Sequence, residues 1–443
     1  MRSIPWPWPL RADFSLTGPR ICRNGGCPAH RSRVQARPLA RPAAGAWPRR
    51  APGARGLTVL ALAVALLATS CAAPRRGLVP LRTFAPVPFS DDGSQADLDA
   101  ALEQSKGYYR SLPAETPIPF GDLTYTPLEM VRSLELFQAL RQEPLDPESF
   151  RRQFQRKFLV FESIAESGEN LFTGYYEPII QGREAPEGEF DTPIYARPPD
   201  LVEVALDQFG RDLPSRRLMG RVEGGRLVPY FTRRDIQGRQ KLKGVAKPLV
   251  YVNEVDLFFL QIQGSGRVVL PDGRTLRVGY DGSNGHAYRS LGAEMIRREL
   301  LKREDVTLQS IRGYLAQHPE AVPALLNSNP SYVFFRSLDE AQAPLGNLRL
   351  PLTPGRSLAA DQRLLPPGSI AYVMTEVPVM GQPSLTQPLR RFMLVQDIGG
   401  AIRGHGRADL FWGAGPEAEW LAGHSKYPGR LFVVVARKEF LEH

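Results

Sequence analysis

Cysteine is scarce in this chain of 443 residues, and its three occurrences lie near the amino terminus, at Cys22, Cys27 and Cys71. From residue 72 onward the chain can therefore form no disulfide and offer no thiolate to a metal. The histidines show no spacing typical of metal ligands, and no Gly-Lys-Ser/Thr phosphate-binding loop occurs. The sequence thus predicts a protein that uses no metal and no cofactor.

Acidic residues are almost missing from the first 70 residues, which hold eleven arginines, no lysine and one acid, Asp13. The remaining chain has 45 basic and 45 acidic residues, so the formal net charge of +10 belongs to the amino-terminal segment. A protein that binds phosphate backbones needs a basic face, and this balance supplies none. We therefore expect no nucleic-acid partner.

Long apolar runs are missing too. Residues 57–68 are apolar except for Thr58, but twelve residues are too few to span a bilayer comfortably. With arginines before it, this run is typical of a secretory signal, and the following Leu-Ala-Thr-Ser-Cys71 resembles a bacterial lipobox. We predict a leader and lipoprotein signal peptide over 1–70, lipidation of Cys71 and a tether over 71–93. A plain secretory signal is the alternative, and Ala72 favours an outer-membrane lipoprotein facing the periplasm.

The body of the chain predicts helices first and strands later. Ser94 and Asp146-Pro147 look like helix starts, and Thr126 opens a capping box. Two further helices are predicted over 287–301 and 308–316, whereas 182–248 shows few regular patterns. Strands are predicted over 172–176, 249–253, 257–261, 267–270, 275–278, 332–335, 369–373, 391–395 and 431–435. The strands in the middle of the chain form either a separate domain or an insertion. In the second case the two halves of the outer domain meet in space, and a groove lies between the two lobes.

Two carboxylates stand out in a glycine-dense segment near the end of the chain. Asp397 follows an apolar run, and Asp409 precedes Leu410, Phe411 and Trp412, so both are expected at strand ends. Glycines between them, among them Gly399 and Gly400, let backbone amides approach a ligand closely. This arrangement is typical of a site that cleaves sugars.

Five segments, in order, resemble the membrane-bound lytic murein transglycosylase A (MltA) family. They are Phe-Thr173-Gly-Tyr175-Tyr176-Glu177-Pro, Gln263-Gly264-Ser265-Gly266, Gly-Ser-Asn284-Gly-His286-Ala-Tyr288-Arg289-Ser, Asn329-Pro-Ser-Tyr-Val-Phe-Phe and the two-aspartate segment. The carboxyl-terminal part, about 357–436, also resembles the family's three-aspartate (3D) module, whose acids match Asp361, Asp397 and Asp409.

The resemblance implies an α+β protein, mainly β, built on a double-psi β-barrel with a smaller β domain inserted. The barrel domain would comprise 94–177 and 283–443, the insert would comprise 178–282, and glycan strands would lie in the groove between them. The implied reaction cleaves the β-1,4 bond between N-acetylmuramic acid and N-acetylglucosamine in peptidoglycan, leaving 1,6-anhydromuramoyl ends. Cell-wall enzyme complexes are possible partners by analogy only.

The resemblance assigns the single catalytic acid/base to Asp409, and one carboxyl group suffices for this chemistry. A hydrolase needs two carboxylates, but here the C6 hydroxyl of the substrate is the nucleophile. Asp409 would protonate the leaving oxygen and then accept the C6 proton. It must therefore start protonated, a state that a dry wall of Phe411 and Trp412 or the negative charge of Asp397 would favour.

Supporting roles are expected for the other motif residues. Asp397 either orients or repels Asp409, binds sugar hydroxyls, or caps the glycine loop, while Asp361 is expected to be structural. Glu177 keeps a two-carboxylate hydrolase open as an alternative, and a catalytically silent glycan binder is another. The expected substrate-binding residues are Thr173, Tyr175, Tyr176, Gln263, Gly264, Ser265, Gly266, Asn284, His286, Tyr288, Arg289, Gly399, Gly400 and Trp412.

Two of these assignments carry their own alternatives. Tyr175 and Tyr176 point to opposite faces if the chain is extended, so at most one of them is expected to stack on sugar. For Asn284 and His286, helix capping and packing are the competing interpretation.

Overall fold

The computed structural model describes residues 77–81, 87–210, 212–214, 216–339, 344–399 and 402–442. Its α-helices are α1 Gln95–Arg110, α2 Pro127–Gln142, α3 Pro147–Lys157, α4 Glu254–Gln263, α5 Leu291–Arg297, α6 Leu308–Gln317, α7 Val322–Leu326 and α8 Pro416–His424. One π-helical turn covers Arg234–Gly238, and short 3₁₀ turns join several elements. None of the helices in these ranges is long and apolar enough to cross a membrane.

The strands are β1 Gly77–Pro80, β2 Ile118–Phe120, β3 Leu123–Tyr125, β4 Phe158–Ile164, β5 Asn170–Glu177, β6 Ile179–Arg183, β7 Thr192–Tyr195, β8 Val202–Ala205, β9 Arg217–Glu223, β10 Arg226–Pro229, β11 Pro248–Val252, β12 Ser265–Val269, β13 Thr275–Ser283, β14 Val333–Leu338, β15 Ser357–Ala360, β16 Ile370–Val379, β17 Gln382–Asp397, β18 Arg407–Ala414 and β19 Lys426–Ala436. With the helices, they give the α+β class that the sequence predicts.

The largest sheet contains a closed ring of six strands. Its order is β1-β4-β19-β16-β17-β15-β18-β5, and β5 also pairs with β19, which closes the ring β19-β16-β17-β15-β18-β5. The ring mixes directions, because β15 runs parallel to β17 and β18 runs parallel to β5. The strands of the ring contain apolar runs, such as Leu431–Ala436 in β19, and every residue of that run is buried.

The three amino-terminal helices that the sequence predicts pack on this barrel. Ser94, Thr126 and Asp146 accept hydrogen bonds from the first turns of α1, α2 and α3, and the Thr126 capping box is complete. The buried faces of these helices share one apolar cluster with the barrel strands. Gln396 on β17 reaches α1, donating to the Ala101 carbonyl at 2.8 Å.

A second sheet of six strands, in the order β14-β13-β12-β6-β11-β7, has its own apolar core. The predicted hairpin around Pro271-Asp272-Gly273 is present as β12 and β13. Strand β14 lies beyond residue 282, so this sheet extends past the expected insert. A three-stranded sheet, β10-β9-β8, occupies part of the stretch 182–248, for which few elements were expected.

Two predicted elements differ from the structure. Residues 257–261 are helical within α4, because a fully buried apolar run fits a helix as well as a strand and its ends decide the outcome. Asn253 caps the amino terminus of α4, and Gly264 ends it with φ of 75°. The helix predicted over 287–301 is shorter and spans only Leu291–Arg297.

The predicted tether is also wrong for the residues the structure describes. Strand β1 pairs with β4, and Val87 and Phe89 are buried. Asp91 then forms a bidentate ion pair with the buried Arg356, at 2.8 and 2.9 Å. Burial and pairing thus fix the chain well before Ser94. The signal peptide and Cys71 lie outside the described residues.

Candidate active site

A pocket of about 360 Å³ opens where the barrel meets the end of α4. Three barrel strands place the acids, because Ala359 on β15 is the register partner of Asp397 on one side and Asp409 on the other. The two aspartates are thus two strand spacings apart, roughly 10 Å between Cα atoms. The small alanine leaves space between them. The lining residues are Tyr175, Ile262, Gln263, Ala359, Asp397, Ile398, Gly399, Ile402 and Asp409.

Asp409 is largely buried, with 8% of its surface exposed. Its Oδ1 atom accepts a short hydrogen bond from the Thr173 hydroxyl and one of 3.0 Å from Arg407 Nη1. Arg407 Nη2 also donates to the Thr173 hydroxyl at 3.0 Å, so the three side chains form a closed triangle. Oδ2 has no hydrogen bond to a described residue. One carboxylate oxygen is thereby fixed, and the other is available to a ligand.

Asp397 is held by neutral donors. Its Oδ1 accepts from the amides of Ile398 and Asn347 at 2.9 and 3.0 Å, and its Oδ2 accepts from the Tyr175 hydroxyl at 3.0 Å. Burial raises the pKa of this carboxyl to about 6, although the hydrogen bonds oppose the shift. Asp397 thus caps the glycine loop, as one of its three interpretations proposed, and also fixes Tyr175.

Asp361 does not line the pocket. Its carboxylate pairs with Arg363 at 2.5 Å and accepts from the Gly404 amide at 2.9 Å. Burial raises its pKa, but these donors outweigh it and leave the pKa below its ordinary value. An acid held ionised in this way is a structural tie between two loops.

The two tyrosines of β5 face opposite sides, as alternation requires. Tyr175 lines the pocket and packs against Phe411, with ring centroids 5.1 Å apart. Tyr176 is buried away from the pocket. Trp412 packs against the barrel core and over Gly174, where a Cβ would lie 2.4 Å from its indole nitrogen, and it is not among the lining residues. The apolar wall expected beside Asp409 therefore includes Phe411, through its contact with Tyr175, and not Trp412.

The Gln263 segment approaches the pocket from the second sheet. Gln263 lines the pocket at the end of α4, rather than at a strand end, and its side-chain oxygen accepts from the Tyr176 amide at 3.3 Å. Gly264 turns the chain, and Ser265 begins β12. A Cβ at Gly266 would lie 2.4 Å from Leu260, so this glycine is required by packing.

The segment around Asn284 is not part of the pocket lining. Asn284 donates to the carbonyls of Phe231 and Pro330, both at 2.8 Å, and accepts from the Tyr332 amide. His286 Nε2 bonds the Tyr230 carbonyl at 2.7 Å. These contacts support the packing interpretation for His286, whereas Asn284 packs without capping a helix, because α5 begins at Leu291 and its cap is Ser290. Tyr288 is half-buried, and Arg289 is exposed with its amide bonded to Asn329.

Glu177 is buried, with 1% of its surface exposed, and both its oxygens are engaged by arginines. Oε2 accepts from Arg267 at 2.9 Å, and Oε1 accepts from the buried Arg277 at 2.5 Å. It is not among the pocket residues. A carboxylate neutralised in this way is poorly suited to be the second acid of a hydrolase.

Ile402 in the pocket lining, and Arg407, Asn347 and Gln362 behind it, escaped the sequence interpretation. Arg407 stands two residues before Asp409, so strand alternation alone would have placed it on the same face. Asn347, Gln362 and Ile402 gave no comparable signal, because distant loops bring them to the pocket. Gly400 lies outside the described residues. Within the described ranges, no three His, Cys, Asp or Glu side chains are grouped as a metal site.

Known protein families and known proteins are similar to this chain. Residues 171–336 match the sequence profile of the MltA specific insert domain, and residues 356–435 match that of the 3D domain. The membrane-bound lytic murein transglycosylase A of Escherichia coli strain K12 is 37% identical over 294 residues, which are 64% of this chain and 70% of the relative. The protein of that name from Vibrio cholerae is 34% identical over 272 residues, 60% of this chain and 66% of the relative.

Solved structures agree with these matches. The membrane-bound lytic murein transglycosylase of Agrobacterium tumefaciens superimposes with a TM-score of 0.66 at 30% identity, over 82% of this chain and 98% of that one. E. coli MltA with bound chitohexaose gives 0.62 at 26% identity, over 82% and 95%. The chain therefore belongs to the membrane-bound lytic murein transglycosylase A family.

Proposed function

We propose that this lytic murein transglycosylase uses Asp409 alone as its catalytic acid and base. The observation that carries the proposal is the Asp409 carboxylate, which lines the pocket with Oδ1 fixed by Thr173 and Arg407 and Oδ2 without a partner among the described residues. The target is the β-1,4 bond between N-acetylmuramic acid and N-acetylglucosamine of peptidoglycan.

The open Oδ2 can serve both halves of such a cycle, whereas the Arg407 pair on Oδ1 stabilises only the carboxylate of the second half. Protonated on Oδ2, Asp409 gives its proton to the glycosidic oxygen as the C1–O bond breaks. The carboxylate left behind is stabilised by the charge-assisted hydrogen bonds on Oδ1. It then accepts the C6 hydroxyl proton as that oxygen bonds to C1, so no water is consumed and a 1,6-anhydro end forms.

Substrate contacts are proposed from the pocket lining. The bound chitohexaose in E. coli MltA supports a glycan strand as the ligand class. Tyr175, Gln263 and Gly399 are the expected contacts, because they line the pocket beside the two acids. Asp397 acts through Tyr175 and the loop amides, and we assign it a positioning role. Asn284 and His286 support the fold around β14 instead.

A double-psi barrel with an inserted domain, and a groove between them, remains our proposal for the architecture. The closed six-stranded ring and the separate six-stranded sheet support it. The pocket receives residues from both sides, with Gln263 from α4 and the two aspartates from the barrel. Because β14 joins the second sheet, the insert extends beyond residue 282 along the chain.

Product analysis tests the reaction and its two rivals. Purified sacculi would be digested, and the soluble muropeptides analysed by mass spectrometry. We expect 1,6-anhydromuramoyl ends, formed equally well in the presence of a chelator. Reducing ends would instead indicate a hydrolase, and retention of sacculi without soluble products would indicate a silent glycan binder.

We also propose that the protein is an outer-membrane lipoprotein anchored through Cys71 and facing the periplasm. The lipobox-like sequence supports this, as does the membrane-bound description of the E. coli and V. cholerae relatives. A Cys71→Ala variant should leave the membrane fraction while keeping its activity on sacculi. Retention of this variant in the membrane fraction would contradict lipid anchoring at Cys71.

A further inference from the structure

Three loops beside the pocket are connected by hydrogen bonds around Asp397, and each contributes an arginine. Asn347 and Gln362 exchange side-chain hydrogen bonds of 2.8 and 3.0 Å, and Gln362 also donates to the Asp397 carbonyl at 3.2 Å. The Asn347 amide bonds the Asp397 carboxylate. The Gly404 amide bonds Asp361 at 2.9 Å, so the loops 345–351, 361–364 and 402–406 form one connected border of the pocket.

The arginines of this border are Arg349, Arg363 and Arg403, which we call the arginine rim. Arg349 and Arg403 are exposed, and neither forms an ion pair with a described residue. Arg363 has 69% of its side chain exposed although it pairs with Asp361. Partial burial and then the neighbouring Arg363 lower the pKa of Arg403. Asp361 offsets only one of the three positive charges.

Arg349 also occupies an unfavourable backbone conformation. It closes a tight turn, donating its amide to the Gly346 carbonyl at 2.9 Å, and its φ of 59° is in the left-handed region that favours glycine or asparagine. The base of the turn packs on the site, since a Cβ at Gly346 would lie 2.6 Å from the Gln396 carbonyl. An arginine at this position adds strain that glycine or asparagine would not.

We infer that the arginine rim binds the carboxylates of the stem peptides that peptidoglycan carries on its muramic acid residues. This inference rests on the proposed function and names a second part of the same substrate. The lactyl group of each N-acetylmuramic acid carries a short peptide with free carboxylates, and arginine pairs with carboxylates through two parallel hydrogen bonds. Arg403 directly follows the pocket residue Ile402, and the loops of Arg349 and Arg363 bond Asp397, so the rim lies beside the pocket in which a peptide-bearing sugar would bind.

The test compares glycan strands bearing stem peptides with the same strands after an amidase has removed them. Combining Arg349→Asn with Arg403→Gln should lower kcat/KM on peptide-bearing strands by about tenfold, as two exposed ion pairs would. Activity on stripped strands should stay at the wild-type value. Lysine at both positions should restore part of the lost kcat/KM on peptide-bearing strands. Arg226→Gln, an exposed arginine on β10, is the matched control and should change neither activity.

Three outcomes would overturn the inference. An equal loss on both substrates would show that the rim acts on the glycan or the fold, and no loss on peptide-bearing strands would remove it from recognition. The third concerns lipid, because a Cβ on Gly77 would lie 3.7 Å from the His405 ring, so Gly77 lies beside the loop that carries Arg403. In a Cys71→Ala background, loss of sedimentation with phosphatidylglycerol vesicles by the double variant, with an unchanged peptide preference, would assign the rim to a membrane.

Failure of the inference and failure of the proposed function give different results. If the wild-type protein forms no 1,6-anhydro ends on either substrate, the proposed function is wrong. If it forms them and the double variant keeps the wild-type ratio of kcat/KM on peptide-bearing to stripped strands, only the inference about the rim is wrong. The double variant should melt at or above the wild-type temperature, since asparagine tolerates the left-handed turn.

Discussion

The carboxylates along β5, from Thr173 to Glu177, differ in the groups that hold them. At one end, Asp409 bonds Thr173 of β5 and Arg407, while Asp397 bonds Tyr175 of the same strand. At the other end, Glu177 is enclosed by two arginines that engage both its oxygens. The three β5 residues 173, 175 and 177 share one face, so the difference comes from what the neighbouring elements bring.

This contrast separates structural from chemical carboxylates. Two guanidinium groups pair with Glu177 and engage both its oxygens, so it joins β5 to the second sheet. Asp397 receives only neutral donors, and burial raises its pKa to about 6. Asp409 has one fixed and one open oxygen. Of these three carboxylates, Asp397 and Asp409 line the pocket and Glu177 does not.

Removing the structural carboxylate should have the largest effect on stability. Glu177→Ala leaves Arg277, 2% exposed, buried without its partner, and losing one member of a buried pair costs about 3–5 kcal/mol. Denaturant unfolding measures this change. Glu187→Ala is the matched control, because its carboxylate is 74% exposed beside Arg183 and such pairs contribute about 1 kcal/mol or less. Equal effects of the two variants would contradict the assigned role of Glu177.

Neutralising Asp397 should change how stability depends on pH. Its pKa is raised from 3.8 to about 6 in the folded protein, so its contribution is present at low pH and is lost as pH rises from about 4 to 6. The wild-type free energy of unfolding should therefore fall across this window by up to about 3 kcal/mol from this group. Urea unfolding at several pH values should show a flatter dependence for Asp397→Asn.

The difference between these two proteins isolates Asp397, because every other titrating group is common to both. Asp361, whose lowered pKa acts in the opposite direction, is one of those groups. Parallel stability curves for the two proteins would show that Asp397 is not the raised acid.

Removing the hydroxyl beside Asp409 should reduce catalysis more than stability. Thr173→Val keeps the shape of the side chain but deletes the hydrogen bond to Oδ1. Because hydrogen bonds to charged groups contribute about 1.5–3 kcal/mol, kcat should fall at least about tenfold with little change in KM. Steady-state release of anhydromuropeptides measures this, and Thr173→Ser should retain most of the activity. Unchanged kcat in Thr173→Val would separate this residue from the reaction.

The smallest effect is expected at the rim of the pocket. Arg349→Asn relieves a left-handed backbone, and the free energy of unfolding should rise by up to about 1 kcal/mol. Thermal unfolding measures it, and Arg226→Asn, in the extended strand β10, should bring no such gain. A clear loss of stability in Arg349→Asn would indicate that the arginine makes contacts that offset the strain.

Local patterns predicted much of this fold. Cap residues at Ser94, Thr126 and Asp146 correctly predicted three helices, and alternation correctly separated Tyr175 from Tyr176. Caps and strand alternation depend on residues close together in the sequence, so they can be recognised without knowing the tertiary contacts. Asp397 lies at the end of β17, as its preceding apolar run predicted, whereas Asp409 is the third residue of β18 and not at a strand end.

The failures come from interactions between distant residues. The stretch 257–261 is helical although a strand was predicted. A fully buried run is apolar on every side, so its sequence lacks the period that separates a helix from a strand. Asn284 was expected to line the groove by resemblance, yet its amide bonds carbonyls about 50 residues away in sequence. The segment before Ser94 looked like a tether because its partners, Arg356 and β4, come much later in the chain.

Asp409→Asn tests the central claim most directly. Asparagine keeps an oxygen that can accept from Thr173 and Arg407, so the melting temperature should stay near the wild-type value, but it cannot carry the transferable proton. On purified sacculi we predict that 1,6-anhydromuramoyl ends fall by about a thousandfold or more, measured by mass spectrometry of the soluble products. Wild-type release of anhydro products by a folded Asp409→Asn protein would contradict the account.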